Sequence, residues 1–313
     1  MQYMAAFWKA ETRICPHFPV PHLPVLMIRV PRSKVKRAFE ERISQNEGDP
    51  GLDFQTWESA ALSCKLAFMS KFRIAGVIPA RLGSTRLSRK VLRPIAGRPM
   101  VEWVWRAAQS SGLMDPVVVA TDSEEVASVC RERGIPVLMT SPDCPSGSDR
   151  VRQVALSIDA EIYVNIQGDE PTLTPDFFPP LLSLFDRPEV EVSTLSVHCA
   201  QEEIANPNAV KVVTALDGRA LYFSRSTIPF DRDQTGFTNY RKHLGIYAYR
   251  KSALERFAAL QPSPLEKLEQ LEQLRLLENG IGIYVAEAPR DTIGVDTEED
   301  LARAEAVLKG TEK

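Results

Sequence analysis

From Phe72 onwards, short apolar runs alternate with amphipathic stretches. Arg73 to Ile78 predicts a buried strand. Pro99 opens a helix that ends near Gly112, with Met100, Val101, Val104 and Ala108 on its inner face. Val117 to Ala120 predicts a second strand. Ser123 then caps a helix that carries Glu124 and Glu125 at its positive end and stops at Gly134. Pro136 to Met139 and Ile162 to Ile166 predict two further strands, the last running into Gln167-Gly168-Asp169-Glu170-Pro171. Such alternation predicts an α/β fold with a mostly parallel, doubly wound sheet. Ligands of such sheets sit beyond the carboxyl ends of the strands.

After Pro175 the order loosens. Asp217-Gly218 separates Val210 to Ala215 from Ala220 to Phe223, which predicts a hairpin. Leu244 to Tyr249 reads as a strand. Pro264 to Asn279 reads as one helix with Leu265, Leu268, Leu271, Leu274 and Leu277 inward and Gly280 at its end. Ile283 to Ala286 is a late strand, and Thr297 caps a final helix over Glu298 to Leu308. Residues 1–68 differ in texture: Pro-broken apolar pieces, a basic stretch from Arg29 to Arg42, then Glu47 to Asp53, without a sustained period. They predict a poorly ordered extension that precedes a domain over residues 69–313. Alternatively, translation begins at Met69.

Composition narrows the functional classes. The 313 residues carry 38 Lys and Arg against 41 Asp and Glu, a net charge of -3, so any anion recognition is local and nucleic acid is not an expected partner. Five scattered cysteines without metal-ligand spacing point to free thiols in a reducing compartment, and the absence of a long apolar run predicts no membrane insertion and a cytoplasmic protein.

The candidate chemistry centres on Ile78 to Leu92, IPARLGSTRLSRKVL. Four cations, Arg81, Arg86, Arg89 and Lys90, surround Gly83, Ser84 and Thr85 directly after a strand. This reads either as a loop that handles phosphate or as a solvated basic turn. It matches neither a P-loop nor a dinucleotide fingerprint. Asp169 follows a buried strand and Asp296 lies just before the last helix; both can reach one rim, and their hard oxygens suit Mg²⁺. Equally, Asp169 is a natural turn residue and Asp296 a natural N-cap. His243 precedes a strand beside Arg241 and Lys242 and suits either an acidic ligand or a strand end.

Residues 72 to 311 resemble the 3-deoxy-manno-octulosonate (Kdo) cytidylyltransferase, or CMP-Kdo synthetase, family. The likeness runs through IPARLGSTRL at 78–87, VATD at 119–122, SGSDR at 146–150 and VNIQGDEP at 164–171. It continues through NPNAVKVV at 206–213, LYFSRSTIPFDRD at 221–233, HLGIYAYR at 243–250, QPSPLEKLEQLEQLR at 261–275 and GVDT at 294–297. Four positions depart from the family pattern: Ser88-Arg89 stands for the usual Pro-Gly, Asp149 for Glu, and Phe230 for Trp.

The resemblance implies a Rossmann-like nucleotidyltransferase sheet with a smaller β-containing dimerisation insertion at roughly 175–250, in a homodimer. It implies that the 2-hydroxyl of Kdo attacks the α-phosphate of CTP, giving pyrophosphate and CMP-Kdo for lipopolysaccharide biosynthesis. Arg81, Lys90 and Ser84 would hold the triphosphate, and Asp169 and Asp296 would anchor Mg²⁺. Ala80, Leu82 and the Ser146, Gly147 and Arg150 segment would read cytosine, with Arg150 donating to the base carbonyl. Gln167, Arg225, His243, Tyr247, Glu272 and Gln273 would recognise the sugar. Within the same fold, 8-amino Kdo or a sialic acid is the rival substrate; from another class, a non-catalytic nucleotide-binding regulator is the rival reading.

Overall fold

Alternate residues of the first strand, β1 (Ile74–Pro79), enter two different cores. Ile74 and Ile78 face one, and Ala75 and Val77 face the other. A strand buried on both faces needs helices on both sides, which is the physical content of a doubly wound sheet. The computed structural model describes residues 72–83, 87–144 and 146–311. Phe68–Lys313 forms one compact unit. The expectations for residues 1–68, for Met69 as a start, and for Ser84 and Arg86 lie outside the described residues.

After β1 comes a single turn of 3-10 helix, Lys90–Leu92, and a two-residue ladder of β2 (Pro94–Ile95) with β3 (Arg98–Pro99). The predicted helix follows as α1 (Met100–Ser110), with Met100, Val101, Val104 and Ala108 buried as expected. β4 (Val117–Thr121), α2 (Glu124–Glu132) and β5 (Val137–Met139) agree with the periodicity, and Ser123 Oγ accepts from Val126 N as the cap. The chain continues through α3 (Gly147–Ala155), β6 (Ile162–Asn165), α4 (Phe178–Ser183) and β7 (Val192–His198). The hairpin around Gly218 is β8 (Lys211–Thr214) and β9 (Ala220–Ser224), with Gly218 at φ +87°. Then come β10 (Arg241–Arg250), α5 (Lys251–Ala259), α6 (Pro264–Glu269), α7 (Gln273–Glu278), β11 (Ile283–Glu287) and α8 (Glu298–Thr311).

The strands order as β11-β7-β10-β6-β1-β4-β5, with the β8–β9 hairpin attached through β10. β5, β4, β1 and β6 pair in parallel, β11 is parallel to β7, and β10 is antiparallel to both of its path neighbours. α1 and α4 cover one face, while α3, α5, α7 and the hairpin cover the other. α8 packs Ala304 and Leu308 with Met100, Ile95 and Leu87 in a third cluster.

One predicted element is broken. Pro264 to Asn279 is two short helices, interrupted where Gln270 turns left-handed at φ 53°. The cause is tertiary: Arg225 donates to the carbonyls of Glu269 (Nε, 2.8 Å) and Gln270 (Nη2, 3.4 Å), at the end of α6. Its amide and Ser224 Oγ also bond the Glu269 carboxylate at 2.9 and 2.6 Å. The leucine row therefore loses its phase. Leu271 and Leu274 are buried, Leu276 joins them instead of following the row, and Leu268 is 80% exposed.

Candidate active site

Because β1 and β6 are parallel neighbours in register, with Val77 opposite Asn165, the loops leaving them emerge side by side. Gly168 is needed there, since a Cβ on it would lie 2.8 Å from the Pro79 carbonyl oxygen. The last loop closes on the same point through Val295 N to Asp169 O at 2.9 Å. Thr297 Oγ accepts from Asp300 N at 3.2 Å and so caps α8 itself, which leaves the Asp296 carboxylate for other work.

That work is shared with Lys90. Its Nζ donates to Asp169 Oδ2 at 2.6 Å and to Asp296 Oδ1 at 2.8 Å, reaching partners 79 and 206 residues away in sequence. Burial by itself would lower the lysine pKa, but the two carboxylates together raise it, so the ammonium is held charged. A cleft of about 350 Å³ opens at this point. Among its lining residues are Arg81, Lys90, Gly147, Gln167, Asp169 and Asp296, all predicted from the sequence. Asp169 and Asp296 converge on one cation and present the hard anionic oxygens that Mg²⁺ prefers, so the donor set fits that ion. No group of three His, Cys, Asp or Glu suited to a metal occurs among the described residues.

Other predicted residues have protein partners of their own. Arg89 turns away to pair with Glu125, so it does not join the cations of the cleft. Arg150 is wholly buried and donates to Thr140 Oγ1 at 2.6 Å and Asp122 Oδ2 at 2.7 Å, so its guanidinium braces the ends of β4 and β5. Ser146 is the N-cap of α3, in a reciprocal box with Asp149, and its hydroxyl is used there. Ala80 is buried and the half-buried Leu82 packs on the core. Arg81 lines the cleft while Nη2 donates to Cys144 O at 2.9 Å.

Four of the six predicted sugar residues, His243, Tyr247, Glu272 and Gln273, lie on β10 and at the start of α7. The His243 and Tyr247 rings lie 5.3 Å apart, with Phe223 edge-on to His243 at 4.9 Å. A register shift in β10 between Leu244 and Tyr247 exposes the Gly245 carbonyl to Gln167 Nε2 at 3.1 Å. Glu272 accepts from Ser148 Oγ at 3.2 Å, next to Gly147 of the cleft, and Gln273 is buried. Burial pushes the His243 pKa down to about 3, which keeps the ring neutral, and Nε2 meets Thr194 Oγ1 at 3.0 Å. The Tyr247 phenol is raised far above its usual range by burial, and the Glu272 carboxyl is raised, chiefly by burial. Arg225 spends three N–H groups on the carbonyls of Pro207, Glu269 and Gln270, which makes it first a latch.

Sequence reasoning missed Asn165, Lys211 and Glu170. Asn165 Oδ1 is buried without a partner at the β6 end. Lys211 Nζ, fully buried, donates to the carbonyls of Asn206 (2.8 Å), Ala209 (2.5 Å) and Arg225 (2.8 Å) and fastens the latch. Glu170, beside Asp169, has its pKa lifted to about 7, mainly by burial. A polar residue at the end of an apolar strand was the available signal for Asn165; nothing local distinguishes Lys211.

The Cytidylyltransferase family profile matches residues 75–286. A 3-deoxy-manno-octulosonate cytidylyltransferase of Acidobacterium capsulatum is 67% identical over 240 residues, covering 77% of this chain and 98% of the relative. One of Koribacter versatilis is 55% identical over 233 residues, covering 74% and 89%. Among solved structures, CMP:2-keto-3-deoxy-manno-octonic acid synthetase complexed with CTP superposes with a TM-score of 0.73 at 40% identity, covering 76% of this chain and 99% of that one. A 4-diphosphocytidyl-2C-methyl-D-erythritol synthase of Anaerococcus prevotii, 13% identical with a TM-score of 0.53 over 78% of this chain and 99% of that one, shares the fold alone. The mostly parallel sheet, the carboxylate pair brought together on its rim and these relatives agree: the chain belongs to the 3-deoxy-manno-octulosonate cytidylyltransferase family of nucleotidyltransferases.

Proposed function

We propose that the chain activates Kdo with CTP, transferring the cytidylyl group to a sugar hydroxyl and releasing pyrophosphate. The observation that carries the chemistry is the convergence of Asp169 and Asp296 on one cation at the mouth of a cleft that Arg81 also lines. The names of the substrates rest on the relatives. Mg²⁺ held by Asp169 and Asp296 would supply charge neutralisation on the triphosphate and would acidify the attacking hydroxyl. Arg81 and Lys90 place positive charge where the pyrophosphate leaves. Gly168 lets the Asp169 backbone lie against β1, which sets the height of the carboxylate above the sheet.

The sugar residues are matched to a polyol acid. A neutral His243 ring and a protonated Tyr247 read hydroxyl groups, so the sugar carboxylate is left to the cations. Gln167, bonded to Gly245, joins the sugar side to the phosphate cleft. No membrane-crossing helix occurs among the described residues, and a cytoplasmic site of action suits soluble substrates. Leu221, Phe230 and Phe237, in or beside the hairpin region, are exposed and support a homodimer through the 175–250 segment. Sedimentation at micromolar concentration is expected to give twice the monomer mass; a monomer removes that assignment.

The deciding assay is pyrophosphate release from CTP and Mg²⁺ with Kdo, 8-amino Kdo, N-acetylneuraminate or no sugar. Release with Kdo is expected. Release only with another sugar keeps the mechanism and overturns the sugar assignment, whereas CTP binding without release with any sugar supports a regulator.

A further inference from the structure

Resting on the assignment of His243 to the sugar, we infer that Thr194 is a positioning residue that fixes the tautomer of that ring, with the proton on Nε2 and Nδ1 presented to the substrate as an acceptor. The reason begins in the backbone of β10. Leu244 stands opposite Leu195 of β7 and Tyr247 opposite Thr194, so Gly245 and Ile246 have no register partner on β7. Carbonyls released from a ladder in this way need other donors when they are buried. Gly245 O receives Gln167 Nε2 at 3.1 Å. Thr194, itself wholly buried, serves the carbonyls on either side: its Oγ1 lies 2.8 Å from Ile246 O and 3.2 Å from Leu244 O.

The same hydroxyl lies 3.0 Å from His243 Nε2. A threonine hydroxyl has one proton and two lone pairs, whereas a carbonyl oxygen can only accept. Whichever carbonyl takes the proton, none is left for the imidazole. Nε2 is therefore the donor and Thr194 Oγ1 the acceptor. Burial holds the ring neutral, so a proton on Nε2 leaves Nδ1 with a lone pair. Nδ1 has no partner among the described residues, and the ring is only half-buried. Phe223, edge-on at 4.9 Å, and Tyr247, at 5.3 Å, hold the ring in place, so Thr194 governs its polarity rather than its position. An acceptor here takes a hydroxyl proton from a polyol and repels a carboxylate, which brings none. Thr194 thereby orients a sugar acid without touching it, through the bonding needs of a break in the strand.

The test is the magic-angle-spinning ¹⁵N spectrum of the full chain labelled at histidine Nδ1, with His243 identified by the signal that His243→Gln removes. Wild type is expected to show an unprotonated Nδ1 at mildly alkaline pH. A protonated one overturns the inference, and this spectrum needs no variant. Thr194→Val keeps the shape and removes the hydroxyl. It is expected to protonate Nδ1 in part and to raise the KM for Kdo about tenfold, while kcat and the KM for CTP stay within about twofold of wild type. Thr194→Ser, which restores the hydroxyl, is expected to return both the signal and the KM towards wild type. An Nδ1 signal unmoved in a Thr194→Val protein with a native circular dichroism spectrum overturns the inference. So does a moved signal with an unaltered KM for Kdo where His243→Gln raises that KM. Failure of the underlying reading registers separately, as a KM for Kdo that His243→Gln leaves unchanged or as absent pyrophosphate release by wild type, while the spectrum still reports the tautomer.

Discussion

Arg89 stands where the family pattern has Gly, and the backbone there is still left-handed, at φ 55°. The turn survives because its geometry is imposed by the next two residues: Lys90 is tied to two carboxylates and Val91 is buried. A side chain in that region costs about 1 kcal/mol relative to Gly. Arg89→Gly is therefore expected to be about 1 kcal/mol more stable than Arg89→Ala in urea unfolding, both variants having lost the contact with Glu125. His243 makes a second residue-scale prediction. Its folded pKa lies below the unfolded value of about 6.5, so the unfolded chain binds the extra proton and stability falls as pH drops from 6.5 towards 3. Between pH 7 and pH 5, the site's own contribution is expected to fall by up to about 2 kcal/mol. His243→Gln should flatten that part of the profile, and an unchanged profile would show the ring to be open to water.

At the scale of elements, the decisive contacts run between segments that local pattern treats as separate. The β6 loop presses on the β1 end through Gly168, and the loop before α8 bonds back to Asp169. Gly168→Ala puts a methyl carbon against the Pro79 carbonyl and is expected to cost about 1–3 kcal/mol, because backbone rather than a flexible side chain must yield. Activity should fall further than that loss explains, since Asp169 moves with the loop; full activity in a destabilised Gly168→Ala protein would detach the contact from the site. The break between α6 and α7 belongs to the same scale. Arg225, fastened by Lys211, takes the carbonyls that end α6, and the turn after it delivers Glu272 beside Ser148.

For the molecule as a whole, Phe68–Lys313 is one compact unit and the family match begins at residue 75. The two cores on either side of the sheet and the third under α8 hold most of the buried apolar residues described. A chain that begins at Met69 is expected to give the same thermal midpoint for the enzyme fold and the same rate of pyrophosphate release. A sharp fall in either would assign residues 1–68 a part in stability or catalysis.

Alternation of apolar runs with capped helices was enough to determine the doubly wound sheet, the elements up to β6 apart from the β2–β3 ladder and α3, the hairpin at Gly218 and the rim where a ligand belongs. These depend on local period, caps and turns, which a sequence carries residue by residue. The loop cations, Asp169 and Asp296 were also legible as candidates, but Asp296 as functional group or cap was undecided until Thr297 proved to be the cap. Which cations face the cleft was decided only in three dimensions: Arg89 found Glu125, Arg150 found Asp122 and Thr140, and Lys90 found both carboxylates. A charged side chain is committed by the nearest opposite charge or open carbonyl, and that neighbour comes from a distant part of the chain. The same reason hid Lys211 and split the leucine-rich helix, whose period was sound until Arg225 claimed its terminal carbonyls.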